Sequence, residues 1–264
     1  IICDDCSTDS TVSIVNNFIL KRGIDNWKVI VNDKNIGWKQ NFVNGIKQAS
    51  GDFIFLCDQD DIWKLNKIQI MVENMNKNEQ ILLLTSKYDL LIDGKIKKSS
   101  LQKKDFVAKK YISNGNILHA VMPGCTYCLR KELVKYYEVY WDNDIPHDAF
   151  VWNVAYAKSG LYYIDYPLII YRRHNNTVTG RKISSKKDRI DAINIQKKYF
   201  KIYDIESKEN PLINTQIKKI KKCLKNREKV LINHSFVSLI KNLRYIDYYW
   251  SWQTYVMDFF ISFK

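Results

Sequence analysis

The stretch "IFLCDQDDIW" (54–63) closes an apolar run with three carboxylates, Asp58, Asp60 and Asp61, and returns at once to Ile62 and Trp63. A second acidic pair, Asp4 and Asp5, follows the apolar start "IIC", with Asp9 close behind. Carboxylates at close range cannot all stay ionised cheaply unless a cation offsets them. A hard divalent ion suits such a group. Mg²⁺ or Mn²⁺ takes one or two protein carboxylates and fills its other positions with water and substrate phosphates. The chemistry these residue types point to is metal-assisted binding of a diphosphate-bearing substrate. An N-cap and turn explain Asp4–Asp5 equally well, whereas nothing structural requires three acids in "DQDDIW".

The elements that must position these acids are legible as alternating patterns. Ile1–Cys3 reads as a strand, and Val12, Val15 and Ile19 recur at helical spacing before Gly23. "VIV" (29–31) is a second strand. Phe42, Val43, Ile46 and Ala49 share a helix face, and Phe53–Cys57 is a third strand. Leu65, Ile68, Met71, Val72 and Met75 predict the core face of the next helix, which leads to the strand "ILLLT" (81–85). Regular alternation predicts an α/β domain with a mostly parallel central sheet flanked by helices. In such sheets the ligand crevice lies beyond the carboxyl ends of the strands, so all five acids are expected on one rim. Asp93-Gly94 predicts a hairpin, "HDAFVWNVAYAKSG" (147–160) a helix, and "LYYI" (161–164) a last strand.

Length and 46% hydrophobic content allow a sizeable core. The start has no Met and no polar lead-in, so further sequence is expected before Ile1. The charge of +14 is uneven: residues 181–264 hold 19 Lys or Arg against 8 Asp or Glu. A boundary is expected near "HNNTVTGRKISSKKD" (174–188), with residues 1–178 as the catalytic domain and 179–264 as a basic, aromatic-rich helical region. There, Pro211 sits at a first helical position, and Ile213, Ile217, Ile220 and Leu224 share one face with lysines on the others. "YIDYYWSWQTYVMDFFISFK" (245–264) suits a water–lipid boundary, and packing against the catalytic domain or onto a partner chain explains it equally well. No nucleic-acid recognition motif accompanies the charge, and no nucleic-acid partner is expected. The six cysteines include two C-x-x-C pairs, Cys3/Cys6 and Cys125/Cys128, but their strand-like and apolar settings favour free thiols over zinc ligands.

Taken together, "IICDDCSTDST", "NIGWKQNFVNGIKQASGDFIFLCDQDDIW", "PGCTYCLRKEL", "HDAFVWNVAYAKSG" and "PLIIYRRHNNTVTG" resemble, in order and approximate spacing, the family 2 glycosyltransferases. These are the inverting group with the GT-A (nucleotide-diphospho-sugar transferase) fold, and the likeness is strongest to the bacterial surface-polysaccharide, rhamnosyltransferase-like branch. The resemblance covers about residues 1–180 and implies one further strand before the position of Ile1. It implies that Asp4, Asp5 and Asp9 contact base and ribose, and that Asn35, Gly37 and Asn41 line the nucleotide pocket. Asp58, Gln59 and Asp60 match the DXD motif, with Asp60 on the metal, Asp58 on ribose or metal, and Asp61 near the donor sugar. Asp148 takes the place of the catalytic base, His174 stands near the diphosphate or the metal, and Arg172 or Arg173 pairs with phosphate. The cofactor implied is Mg²⁺ or Mn²⁺; the partners implied are a nucleotide-sugar donor and a saccharide or lipid-linked saccharide acceptor.

Inversion requires the acceptor hydroxyl to attack opposite the departing nucleoside diphosphate, so a carboxylate must stand on the acceptor side to take the proton. Asp148 follows Pro146 at a helix start, where free N–H groups favour a charged carboxylate; helix capping alone would also explain it. "GCTYC" is expected to shape the acceptor-side wall. A cytoplasmic location, peripheral at the inner membrane face, follows from the implied acceptor and the basic tail. Two alternatives share some features: a phospho-acceptor receiver domain, which also places acids after the first and third strands, and a nucleotide-sugar-binding module without turnover.

Overall fold

The computed structural model describes residues 1–99, 105–173 and 185–263. Strand β1 (Ile2–Asp4) runs parallel to β2 (Val29–Val31), joined through helix α1 (Thr11–Arg22), which stops at Gly23. Val12, Val15 and Ile19 form the half-covered face of α1, as their spacing predicts, and no residue of this helix is fully buried. Helix α2 (Trp38–Gln48) buries Val43 and Ile46. Strands β3 (Phe53–Phe55) and β4 (Ile62–Trp63) bracket the acidic loop, and α3 (Lys67–Lys77) follows.

The core face of α3 differs from expectation. Leu65 precedes the helix and is fully exposed, and Ile68 is 51% exposed. The buried stripe is Lys67, Ile70, Met71 and Met75. Met71 and Met75 are buried as their spacing predicts, whereas Lys67 replaces the expected apolar first member, its ammonium held by the Cys125 carbonyl and the Trp63 ring.

Strand β5 (Leu83–Ile92) turns into β6 (Lys95–Lys97) through Asp93 and Gly94, both at positive φ (48° and 75°), the backbone of a tight two-residue hairpin. Then come β7 (Ala108–Lys110), β8 (Cys128–Arg130), α4 (Val134–Val139), α5 (His147–Ala157) and the 13-residue β9 (Leu161–Arg173). The large sheet has the order β3-β8-β5-β9-β4, with β6 on β5 and β7 on β9. The α/β class with a central sheet flanked by helices stands, but the expected mostly parallel pairing does not. Among the described residues only β1/β2 and β5/β9 are parallel, and five pairs are antiparallel. Strand–helix alternation ends after α3, and the short strands β6 to β8 return through loops without a crossover helix, a connection that pairs strands antiparallel.

At the α5–β9 turn, Gly160 accepts the N–H groups of Leu82 and Leu83 at 2.9 and 3.1 Å. A Cβ there would lie 2.4 Å from Leu82 Cγ. Gly160→Ala is expected to cost about 1–3 kcal/mol by overpacking, read as a lower urea midpoint at unchanged slope.

The basic region forms α6 (Lys186–Lys198), α7 (Phe200–Glu206), α8 (Pro211–Asn233), α9 (Phe236–Asn242) and α10 (Trp252–Phe263). Helix α6 starts with a Ser185/Asp188 capping box. Pro211 opens α8 behind the cap Asn210, and Ile213, Ile217, Ile220 and Leu224 are buried as the spacing predicts. One hydrophobic cluster runs from Val43 on α2 through Trp152 on α5 to Leu224 on α8 and Tyr249. The Tyr203 hydroxyl donates to Asn153 Oδ1 on α5 at 2.9 Å. No helix among the described residues is long and apolar enough to cross a membrane.

Candidate active site

The predicted acids divide into two groups. The first lies at the corner of β1, α1 and α2. Asp4 is buried, and its carboxylate accepts the Ser7 N–H and hydroxyl at 2.8 and 2.5 Å. Asp9 is exposed and accepts the Thr11 N–H at 2.9 Å, starting α1. Asp4 thus performs the turn work that was its simpler explanation, and Asp9 holds the first helical N–H. Asp5 is different. It reaches across to the segment before α2, accepting the N–H groups of Ile36 and Gly37 at 2.8 Å each and the Asn32 amide at 3.0 Å. Against the upward push of burial, these donors hold its carboxyl below the usual range.

Asn32, which sequence reasoning missed, also donates to Asn41 Oδ1 at 2.9 Å, and Asn41 in turn donates to the Cys3 carbonyl. Asn35 accepts the Gly37 N–H at 3.2 Å. The predicted nucleotide-pocket residues Asp5, Asn35, Gly37 and Asn41 thus share one hydrogen-bonded corner.

The second group gathers Asp58, Asp60, Asp61 and Asp148. Asp58 is pushed up to about 6, first by burial and then by Asp61, Asp60 and Asp148, with Lys67 opposing. Asp61 Oδ1 accepts the Arg172 N–H at 2.8 Å, and Arg172 Nε donates to the Asp60 carbonyl at 2.8 Å. Arg172 therefore clamps the acidic loop to the end of β9. Arg173 is exposed at the last position of that strand. His174 lies outside the described residues.

Two members of this cluster were not foreseen. Lys67 is fully buried; its ammonium donates to the Cys125 carbonyl at 2.7 Å and lies 3.7 Å over the Trp63 ring. Burial pushes it down to about 8, against the opposing pull of neighbours that include Asp61. The only sequence signal was a lysine at a helical core position. Cys125 places its sulfur within 4.8 Å of carboxylate oxygens of Asp58 and Asp61. The six cysteines are free.

This donor set fits a hard divalent ion. Asp61 Oδ2 is buried and meets no nitrogen or oxygen donor, the Cys125 thiol being the carboxylate's side-chain neighbour. Burial, reinforced by Asp61, raises the Cys125 thiol far above its ordinary value, so it stays protonated and leaves the oxygens as ligands. The pH consequence follows from Asp58. Its folded pKa lies above the ordinary carboxylate value of 3.8, so its contribution to stability without metal is present below about pH 4 and lost as pH rises through about 6. A cation takes only the ionised form. The Mn²⁺-induced rise in unfolding temperature is expected to be small at about pH 5 and to plateau above about pH 7; a pH-independent rise would contradict this electrostatic account.

Asp148 stands in the first turn of α5 behind Pro146, half-exposed, with its Oδ1 accepting the Ala149 N–H at 2.7 Å. Its neighbour His147 is buried and stacks on Phe42 with 4.1 Å between ring centroids. Gly124, in the single turn Gly124–Thr126 before β8, approaches so closely that a Cβ would lie 2.9 Å from Asp148 Cβ. The same turn presents Cys125 to the acidic loop, so one short segment touches both Asp148 and the acids of that loop. The "GCTYC" stretch, expected as a wall, is this segment.

Residues 1–136 match the model of glycosyl transferase family 2, and the chain belongs to that family. Among its relatives is the dTDP-rhamnosyl transferase RfbG of Shigella flexneri, 32% identical over 197 residues, covering 70% of this chain and 66% of that protein. Another is WfgD of Escherichia coli, a UDP-Glc:alpha-D-GlcNAc-diphosphoundecaprenol beta-1,3-glucosyltransferase, 26% identical over 73% of this chain and 72% of that protein. The chain spans just under two thirds of RfbG.

Among solved structures, S. aureus TarS in complex with UDP-GlcNAc superposes with a TM-score of 0.60 at 20% identity, covering 86% of this chain and 62% of that one. Mannosyltransferase PcManGT from Pyrobaculum calidifontis, in complex with GDP-Man and Mn²⁺, gives 0.52 at 14% identity over 91% of this chain and 64% of that one. These establish the GT-A fold. Family membership sets the receiver-like alternative aside.

Proposed function

We propose that the chain transfers a sugar, a rhamnosyl or other hexosyl unit, from a nucleotide-diphosphate donor to an acceptor hydroxyl with inversion, in cell-surface polysaccharide synthesis. The observation that carries this reading is the single cluster of Asp58, Asp60 and Asp61 with Asp148, in a chain of family 2. In this reading residues 1–178 carry the reaction and 179–264 form the helical region. Asp5, Asn35, Gly37 and Asn41 hold base and ribose. Asp4 and Asp9 support them by shaping the turn before α1. Asp58 and Asp60, with Asp61 and His174 alongside, would hold Mg²⁺ or Mn²⁺, which supplies positive charge for the leaving diphosphate. Arg172 orders the acidic loop, and Arg173 pairs with phosphate. Asp148 takes the acceptor proton.

The helical region adds a second element. Phe236, Val237, Ile240, Leu243, Trp250 and Trp252 are 52–66% exposed, and the lysines at 218, 219, 222, 225 and 229 on α8 are exposed as well. Apolar and aromatic side chains beside lysines suit the face of an anionic membrane, where a lipid-linked acceptor would be met.

Thermal unfolding with UDP, dTDP or GDP, each with and without Mn²⁺, tests the donor reading. One nucleotide is expected to stabilise the protein only with the metal. Asp60→Ala is expected to remove that metal-dependent shift. Stabilisation by nucleotide alone, unchanged in Asp60→Ala, would overturn the metal assignment. A chain that binds donor but transfers nothing under all acceptor conditions would be the binding module instead.

A further inference from the structure

Lys67 opens α3 fully buried, on the same core face as Ile70, Met71 and Met75. Its direct partners are neutral: the Cys125 carbonyl at 2.7 Å and the Trp63 ring at 3.7 Å. Burying an ammonium is expensive. An amide would hold the same carbonyl, and a methionine would fill the same space, without that cost. What answers the charge is the acidic loop. Burial raises both Asp58 and Asp61, and Lys67 opposes the rise at each of them. Arg172 also brings a guanidinium to this loop, but it is partly exposed and bound to the Asp60 main-chain carbonyl, so water screens it.

An interior cation beside such a loop has two effects of opposite sign. It repels a divalent ion with twice the energy that it exerts on a proton at equal distance, so it weakens ion uptake more than it eases the ionisation of Asp58. On the other side, three ionised carboxylates outnumber the two charges of the ion. A loaded loop without an interior cation would face a diphosphate with an excess of negative charge, and Lys67 reduces that excess.

We propose that Lys67 makes the divalent ion a companion of the diphosphate rather than a resident of the loop: it keeps the loop's grip on the ion alone weak and the loaded loop's grip on the diphosphate strong. The identity of the two ligands rests on the metal-assisted donor reading; the charge effect rests on the burial and partners of Lys67. Two measurements on the whole chain at near-neutral pH test it. Mn²⁺ binding without nucleotide is read from the loss of the free-ion electron paramagnetic resonance signal. Affinity for UDP, dTDP and GDP at saturating Mn²⁺ is read from thermal unfolding. The unaltered chain is compared with Lys67→Met and with Lys67→Gln, which keeps a donor for the Cys125 carbonyl.

Both variants are expected to bind Mn²⁺ alone about ten-fold tighter or more, and to bind the stabilising nucleotide several-fold more weakly. A lysine that only tethered the 124–126 turn would, when lost, loosen both ligands, and Lys67→Gln would restore them; that pattern would overturn the proposal. So would Mn²⁺ binding in both variants no tighter than in the unaltered chain, an outcome that leaves the donor reading standing. The unaltered chain gives a check that needs no variant to fold: Mn²⁺ alone should bind about ten-fold or more weakly than Mn²⁺ with nucleotide, and equal affinity would overturn the proposal. No Mn²⁺ uptake by any chain, even with nucleotide, would sink the metal reading and the proposal together. Tighter Mn²⁺ binding in both variants, with no nucleotide response from any chain, would support the action of Lys67 on the ion and sink the donor reading instead.

Discussion

Asp148→Asn is expected to lower sugar transfer by about 10²–10⁴-fold, the usual contribution of a positioned general base, while leaving nucleotide binding nearly intact. Asparagine keeps the side chain's size and the oxygen that accepts the Ala149 N–H, so α5 should start as before. What disappears is the basic lone pair on the acceptor side. Donor binding should survive because Asp58, Asp60 and Asp61 belong to a different loop, clamped by Arg172. A secondary effect has a definite sign. Asp148 is one of the charges that raise Asp58, so its neutralisation should move metal uptake to lower pH. Transfer within a few-fold of the unaltered chain would show that another group takes the proton and that Asp148 only begins a helix.

The second large effect is on stability. Asp258 of α10 is fully buried, between Arg189 of α6 and Arg227 of α8, which are 5% exposed each. It accepts from Arg189 at 2.6 Å and from Arg227 Nε at 2.8 Å. Against the downward push of burial, Asp258 keeps Arg227 charged, and that guanidinium also lies 4.6 Å over the Tyr249 ring. Removing the one anion strands two buried cations. Asp258→Ala should therefore cost about 3–5 kcal/mol, seen as a large drop in the urea midpoint. Replacing all three residues by well-packed apolar ones should cost far less, because no charge is then left uncompensated. A loss below about 1 kcal/mol for Asp258→Ala would mean that water reaches the arginines and the pair is not dry.

Much of the fold was legible because it is written in short-range pattern. The α2 face of Val43 and Ile46, the Asp93-Gly94 hairpin, and the α8 start at Pro211 with its stripe of isoleucines each depend on residues within a few turns of one another. The acids of "DQDDIW" likewise declared themselves by type and by their place after a strand. The direction of strand pairing did not, since it depends on whether the chain returns by a helix or a loop. The sequence left open whether Asp4 would meet a ligand or serve the turn before α1, which only its folded contacts with Ser7 decide.

The sequence alone determined that a triply acidic loop follows an apolar strand and that a carboxylate begins a later helix, because residue type and spacing encode those facts locally. Tertiary structure decided that Asp58 and Asp148 stand in one field, that the buried Lys67 opposes it at Asp58, and that Cys125 touches the loop from 64 residues away. Such contacts exist only once a sheet order is chosen and water is excluded. Burial then sets which charges are tolerated and what each one is worth.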